Sequence, residues 1–105
     1  MALTKPLQKA LNIIIKIADP DKVILFGSMA NGRATPDSDY DLLVLKDKVK
    51  HTRKLAQKIY LNLNNVGAPF DILVYDTDKY EEIKNLPYLI YYTINKEGNI
   101  IYEKN

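Results

Sequence analysis

Cysteine and tryptophan are absent from the 105 residues, and histidine occurs once, as His51. Without cysteine there can be no disulfide and no thiolate metal site, and a reducing cytoplasm is the expected compartment. One imidazole cannot build a histidine cage, so a metal held by a single chain must sit on oxygen ligands. Long hydrophobic runs are missing too. A bilayer span needs about 18 apolar residues, and the early run "LNIIIKIA" already carries Lys16. No small-residue cleavage site follows it, so neither a signal peptide nor a membrane anchor is expected. Net charge is also small. Fifteen basic and thirteen acidic residues leave +2, too weak a bias to argue for nucleic acid as the partner.

What is present fits one soluble domain over residues 1–105, with 47% hydrophobic and 27% charged residues. Leu7, Leu11, Ile14, Ile15 and Ala18 recur at helical spacing behind Thr4 and Pro6, and "ADPDK" ends that helix at Pro20. "KVILF" reads as a buried strand, and "YDLLVLK" as a second one after a Gly-Ser loop. "HTRKLAQKIYLNLNN" puts Thr52, Leu55, Ala56, Ile59 and Leu63 on one helical face, and "FDILVYD" is a third strand. Asp76, Thr77 and Asp78 offer N-cap chemistry to a short helix ending near Lys84. Pro87 is placed to start a last helix to about Lys96, stopped by Gly98 and followed by the strand "NIIYE". The order α-β-β-α-β-α-α-β predicts a small mixed sheet flanked by helices, of the α/β or α+β class.

Side chains alternate along a strand, so Asp39 and Asp41 point the same way, with Leu43 and Leu45, while Tyr40, Leu42 and Val44 face oppositely. Two adjacent carboxylates repel unless a cation lies between them or one is protonated. The pair therefore reads either as exposed strand-edge charges or as ligands for a hard ion such as Mg²⁺. Asp71 opens "FDILVYD" in the same manner, an acid ahead of an apolar run. If the two strands pair side by side, three carboxylates share one face, enough for a two-metal site. Asp76 falls on the other face and suits a helix cap better.

Gly27 and Ser28 directly follow "VILF". Glycine permits a tight turn and a close approach of backbone to ligand, and Ser28 with the next amides could hold phosphate oxygens at the head of "SMAN". A plain strand-to-helix turn with serine as N-cap accounts for the same residues. GxxxxGK[ST] is absent, so this is no P-loop. Arg33 is either a triphosphate-neutralising cation or a solvated loop charge, and Ser38 either touches nucleotide or simply enters the strand. Asp37 reads as turn chemistry, and His51 with the basic run "KDKVKHTRK" as a solvated helix entrance. Tyr88, Tyr91 and Tyr92 in "LPYLIYYTI" divide between interface and core roles.

Gly27-Ser28, ten residues, then Asp39-x-Asp41, with Gly32 and Ser38 in the interval, resembles the signature of the DNA polymerase β-like nucleotidyltransferase superfamily. The match is nearest to its minimal nucleotidyltransferase (MNT) branch, the antitoxin halves of HEPN/MNT toxin–antitoxin pairs. "GSMANGRATPDSDYDLLV" carries the core motif, Asp71 stands where the third carboxylate is expected, and "GNIIYE" resembles the closing strand. Tyr40 replaces a more usual aliphatic residue.

The resemblance implies a palm-like catalytic core. Asp39, Asp41 and Asp71 would bind two Mg²⁺ ions, with Asp71 helping to activate the acceptor. Gly27 and Ser28, with Arg33 and Ser38 nearby, would bind the phosphates of ATP. AMP would pass to a tyrosine hydroxyl of a partner HEPN ribonuclease toxin and silence it. Such transfers need positioning and charge neutralisation more than covalent chemistry. A domain this small leaves its cleft half open, so a second chain is expected to supply the missing wall: the HEPN partner, or a copy of this chain as a homo-oligomer. Two other functions stay in view. One is a non-catalytic antitoxin that masks its partner; the other is a nucleotidyltransferase acting on RNA or a small molecule.

Overall fold

Capping chemistry sets the first element of the computed structural model, which describes residues 3–35 and 37–104. Pro36, within the motif loop, lies outside them. The Thr4 hydroxyl accepts from the Leu7 amide at 3.3 Å, Pro6 occupies the first turn, and α1 runs over Lys5–Ala18. Asp19 closes it in the left-handed region (φ 44°, ψ 59°), and Pro20 prevents its continuation. Then follow β1 (Lys22–Phe26), α2 (Ser28–Asn31), β2 (Tyr40–Lys46), α3 (Thr52–Leu61) and β3 (Phe70–Asp76). The chain finishes with α4 (Thr77–Ile83), α5 (Ile90–Glu97) and β4 (Asn99–Glu103).

Two helix bounds differ from the pattern-based expectation. Pro87 does not start the last helix. Leu86 and Leu89 donate to the carbonyls three residues back (2.9 and 3.1 Å), so the chain turns until Leu89 caps α5. Helix α3 stops at Leu61, where the Asn62 side chain donates to the Lys58 carbonyl at 2.8 Å; Leu63 is buried from beyond the helix.

The sheet is mixed, in the order β3-β2-β1-β4. β1 lies antiparallel to β2 and to β4, while β3 runs parallel to β2 after the α3 crossover. Both faces are covered, which explains the unbroken apolar run of β2. Leu42 and Val44 share one core with Leu7, Leu11 and Ile14 of α1 and Ile59 of α3. Leu43 and Leu45 share the other with Ile24, Tyr80 of α4 and Ile94 of α5. Burial of each such side chain contributes about 1.5–3 kcal/mol. Among the described residues no helix is long and apolar enough to cross a membrane.

Candidate active site

Pairing register brings the acids of two strands together. Asp41 stands beside Asp71 in the parallel β2–β3 pair and opposite Phe26 in the antiparallel β1–β2 pair. Phe26, Asp41 and Asp71 thus form a row across three strands at one end of the sheet. Asp41 shares its face with Leu43 and Leu45, whereas Tyr40 belongs to the α1 side, where its hydroxyl meets Thr4 Oγ1 at 2.7 Å and its ring stacks on Phe70. The core beneath α4 and α5 is sealed at Leu43 and Leu45, yet Asp41 is half-buried and Asp71 exposed. The row lies where that cover ends.

Gly27 closes the site from behind. It caps α2 with φ 73° and ψ −158°, a region that only glycine adopts freely, and a Cβ there would fall on Asp41 Oδ2. The glycine is therefore required twice, for the turn and for the approach to the carboxylate. Ser28 is the first residue of α2 rather than its cap, and it is half-buried.

Asp39 lies in the loop just before β2 and is exposed. It is near enough to act on Asp41, whose acid is held above its usual range by burial first, then by the charge of Asp71, then by that of Asp39. The carboxylate oxygens of this trio do not all close to within 4.8 Å; among the described residues the acids that do are Asp47, Asp76 and Asp78. Within that second group Asp76 serves as the cap of α4. Both Asp76 oxygens accept backbone amides, from Lys48 at 3.0 Å and Lys79 at 3.1 Å.

Arg33 is exposed, its amide bonded to Asn31 Oδ1 at 3.1 Å. The Ser38 hydroxyl accepts from the Thr35 amide at 2.8 Å, so it shapes the loop that delivers Asp39. Asp37 and His51 are exposed. Tyr91 is half-buried against the core under α4 and α5, stacked on Tyr75 (4.6 Å between centroids) and edge-on to Tyr80; Tyr88 is exposed. The donor set suits a hard divalent cation, being carboxylate oxygen throughout, and the bare backbone of Gly27 lets the Asp41 carboxylate lie directly against the turn. Sequence reasoning missed the open groove on the far side of Asp71, lined by Arg53, Gln57 and Tyr60 of α3. Exposed polar positions on α3 next to an edge strand were the available signal.

Residues 8–105 match the family model of polymerase β nucleotidyltransferases. The protein adenylyltransferase MntA of Aphanizomenon flos-aquae is 27% identical over 97 residues, covering 90% of this chain. The chain spans 65% of that relative's length. A Methanocaldococcus jannaschii protein, described as a candidate protein adenylyltransferase, is 36% identical over 72 residues, 69% of this chain and 71% of its own. A crystal structure of a toxin–antitoxin with AMP-PNP superposes with a TM-score of 0.55 at 19% identity, covering 93% of this chain and 73% of that one. At that identity the likeness is one of fold.

Proposed function

The chain belongs to the polymerase β nucleotidyltransferase family, and on that footing we propose that it is a protein adenylyltransferase and antitoxin. In this reading it transfers AMP from ATP to a tyrosine hydroxyl of a HEPN-type toxin in the cytoplasm. The observation that carries the proposal is the juxtaposition of Asp41 and Asp71 in adjacent strands with Gly27 against Asp41. The naming of MntA as a protein adenylyltransferase, and the toxin–antitoxin solved with AMP-PNP, support the same reading.

Asp39, Asp41 and Asp71 would hold two Mg²⁺ ions. Ions held there would supply neutralisation of the triphosphate charge and a lowered pKa for the attacking hydroxyl. Gly27 and Ser28, at the head of α2, orient the β- and γ-phosphates, and Arg33 adds positive charge beside them. Ser38 keeps the loop folded so that Asp39 faces Asp41. Asp71, exposed at the end of an edge strand, takes the proton of the incoming hydroxyl and passes it to solvent. The acceptor oxygen bonds to the α-phosphorus as the bond from that phosphorus to the bridging oxygen breaks, and pyrophosphate leaves. Fixed positioning and preset charge supply the rate.

The test is incubation of the partner toxin with labelled ATP and Mg²⁺, comparing the native chain with the Asp39→Ala/Asp41→Ala double variant. Label on the toxin that disappears in the variant supports the proposal. Neutralisation of the toxin that survives without label identifies a masking antitoxin instead, and label on RNA or a small molecule identifies a different transferase.

A further inference from the structure

Acidic residues are distributed unevenly over the fold. None of the thirteen falls within residues 4–18 or 49–70, the stretches that contain α1 and α3, whereas seven of the fifteen basic residues do. The rest of the chain carries eight bases and thirteen acids, a balance of −5. Both helices pack on one face of the sheet, against the core built around Leu42 and Val44, while Asp41 faces the opposite way with Leu43 and Leu45. The small net charge of +2 therefore conceals one strongly basic layer, on the side of the sheet away from Asp41.

On α1, Lys5, Lys9, Asn12 and Lys16 follow the i, i+4, i+7, i+11 spacing of a single stripe about 17 Å long. All four are exposed, opposite the buried Leu7, Leu11 and Ile14. On α3, Lys54 and Lys58 are exposed one turn apart, while Arg53, Gln57 and Tyr60 turn toward β3 and line the concavity beside Asp71 and Ile72. Among the described residues none of these cations forms a salt bridge. At the C-terminal end of α3 the chemistry changes. Tyr60, 58% exposed, walls a concavity of about 280 Å³ completed by Leu63, Asn64, Pro69 and Phe70, and no charged side chain lines it.

We propose that this layer seats single-stranded RNA, its phosphates along the lysines of α1 and α3 and an unpaired base against Tyr60. Composition decides between polyanions. A protein interface has an apolar or aromatic centre and is depleted in lysine. Here every exposed residue of α1 is Lys, Gln or Asn, and the exposed residues of α3 before Tyr60 are Lys, Arg and Gln. Basic and amide side chains are the donors that hold phosphates and sugars. An uncharged slot with an exposed aromatic face and one amide, Asn64, suits a base that has left its stack. A duplex offers no such base, and RNA is the nucleic acid that ordinarily presents one. Such a seat is independent of the adenylyltransferase reading, because it lies on the face away from Asp41 and leaves that site free.

The test uses a short fluorescein-labelled RNA of unstructured sequence, its binding to the full chain followed by fluorescence anisotropy. Between about 50 and 200 mM salt the affinity should fall about 100-fold, the counterion release of about five phosphate contacts. Lys9→Ala/Lys54→Ala/Lys58→Ala, all at exposed positions, should reduce that fall to about tenfold, since each lost phosphate contact flattens the salt dependence. Tyr60→Ala should weaken binding about tenfold at every salt concentration, and Tyr60→Phe, which keeps the stacking face, should stay within about threefold of the native chain. An RNA duplex and a glutamate peptide of equal charge should each bind at least about tenfold more weakly, lacking an unpaired base to stack. Equal binding of either one overturns the proposal, as does a salt response unchanged by the lysine substitutions or indifference to Tyr60→Ala. No measurable RNA binding at about 50 mM salt overturns it too. Single-stranded DNA of the same sequence that binds more than about tenfold tighter overturns RNA as the occupant.

Discussion

Asp41 and Asp71 are register partners in adjacent parallel strands, so their carboxylates leave the same face of the sheet side by side. Their connection is the α3 crossover, which fixes which residue of β3 lies beside Asp41. A slip of one residue would put Asp71 on the opposite face. The consequences of this pairing can be measured one residue at a time.

Gly27→Ala places a Cβ on Asp41 Oδ2 in a backbone conformation that alanine resists. We expect a loss of about 1–3 kcal/mol in stability and of ATP binding by more than about tenfold, about 1.4 kcal/mol. Gly32→Ala is the control: its φ is also positive, at 80°, but a Cβ there meets nothing within 4 Å. Thermal melts and titration with a non-hydrolysable ATP analogue should show a strain cost at both positions and a binding loss only at Gly27.

Asp41→Asn should stabilise the protein in the absence of divalent metal. The folded-state acid is raised above its ordinary value of 3.8. Its cost to stability therefore begins as pH climbs past that value and is complete once pH exceeds the raised folded value. The variant should melt about 1–3 °C higher at pH 7.5, since solvent screening at this half-buried site leaves a charge effect of a few tenths of a kcal/mol, and the gap should close toward pH 4. Mg²⁺ should raise the melting temperature of the native chain and leave the variant unmoved. A variant that melts lower at every pH would contradict the crowding of these acids.

Asp71→Asn keeps the shape of the strand head but not its proton acceptor. AMP transfer should fall by about 100-fold or more, while ATP-analogue affinity stays within about threefold, under 1 kcal/mol. Equal losses in both would place Asp71 in nucleotide binding instead.

Tyr80 is the one buried side chain whose polar atom finds no partner among the described residues, and its ring is packed edge-on to Tyr91. Removing an unpaired buried hydroxyl relieves a desolvation cost of about 1 kcal/mol or more. Tyr80→Phe should therefore fold at least as stably as the native chain in urea titrations. A clear loss would mean that the hydroxyl has a partner.

The strands were readable because their apolar runs are short and bounded by turn residues, and the face shared by Asp41, Leu43 and Leu45 followed from alternation alone. The neighbour of β2 was not readable. Parallel pairing is a long-range choice made by how α3 packs; the family resemblance implied that Asp71 joins Asp41, and the register of the two strands puts it there. The start of α5 was misread because Pro87 is as suited to a turn as to a first helical residue. Ser28 looked like a cap, but Gly27, which alone tolerates that backbone, takes the position. The groove beside β3 was missed for a further reason: the polar positions of α3 hint at it only once β3 is known to be an edge, and an edge is defined by the strand that does not arrive.

Labelling of the toxin with ATP carrying ³²P at either the α or the γ position tests the central claim most directly. The account predicts that, with Mg²⁺, α-label enters the toxin in the native chain but not in Asp39→Ala/Asp41→Ala, and that γ-label is released as pyrophosphate. Incorporation of γ-label, or α-labelling undiminished by the double substitution, would contradict it.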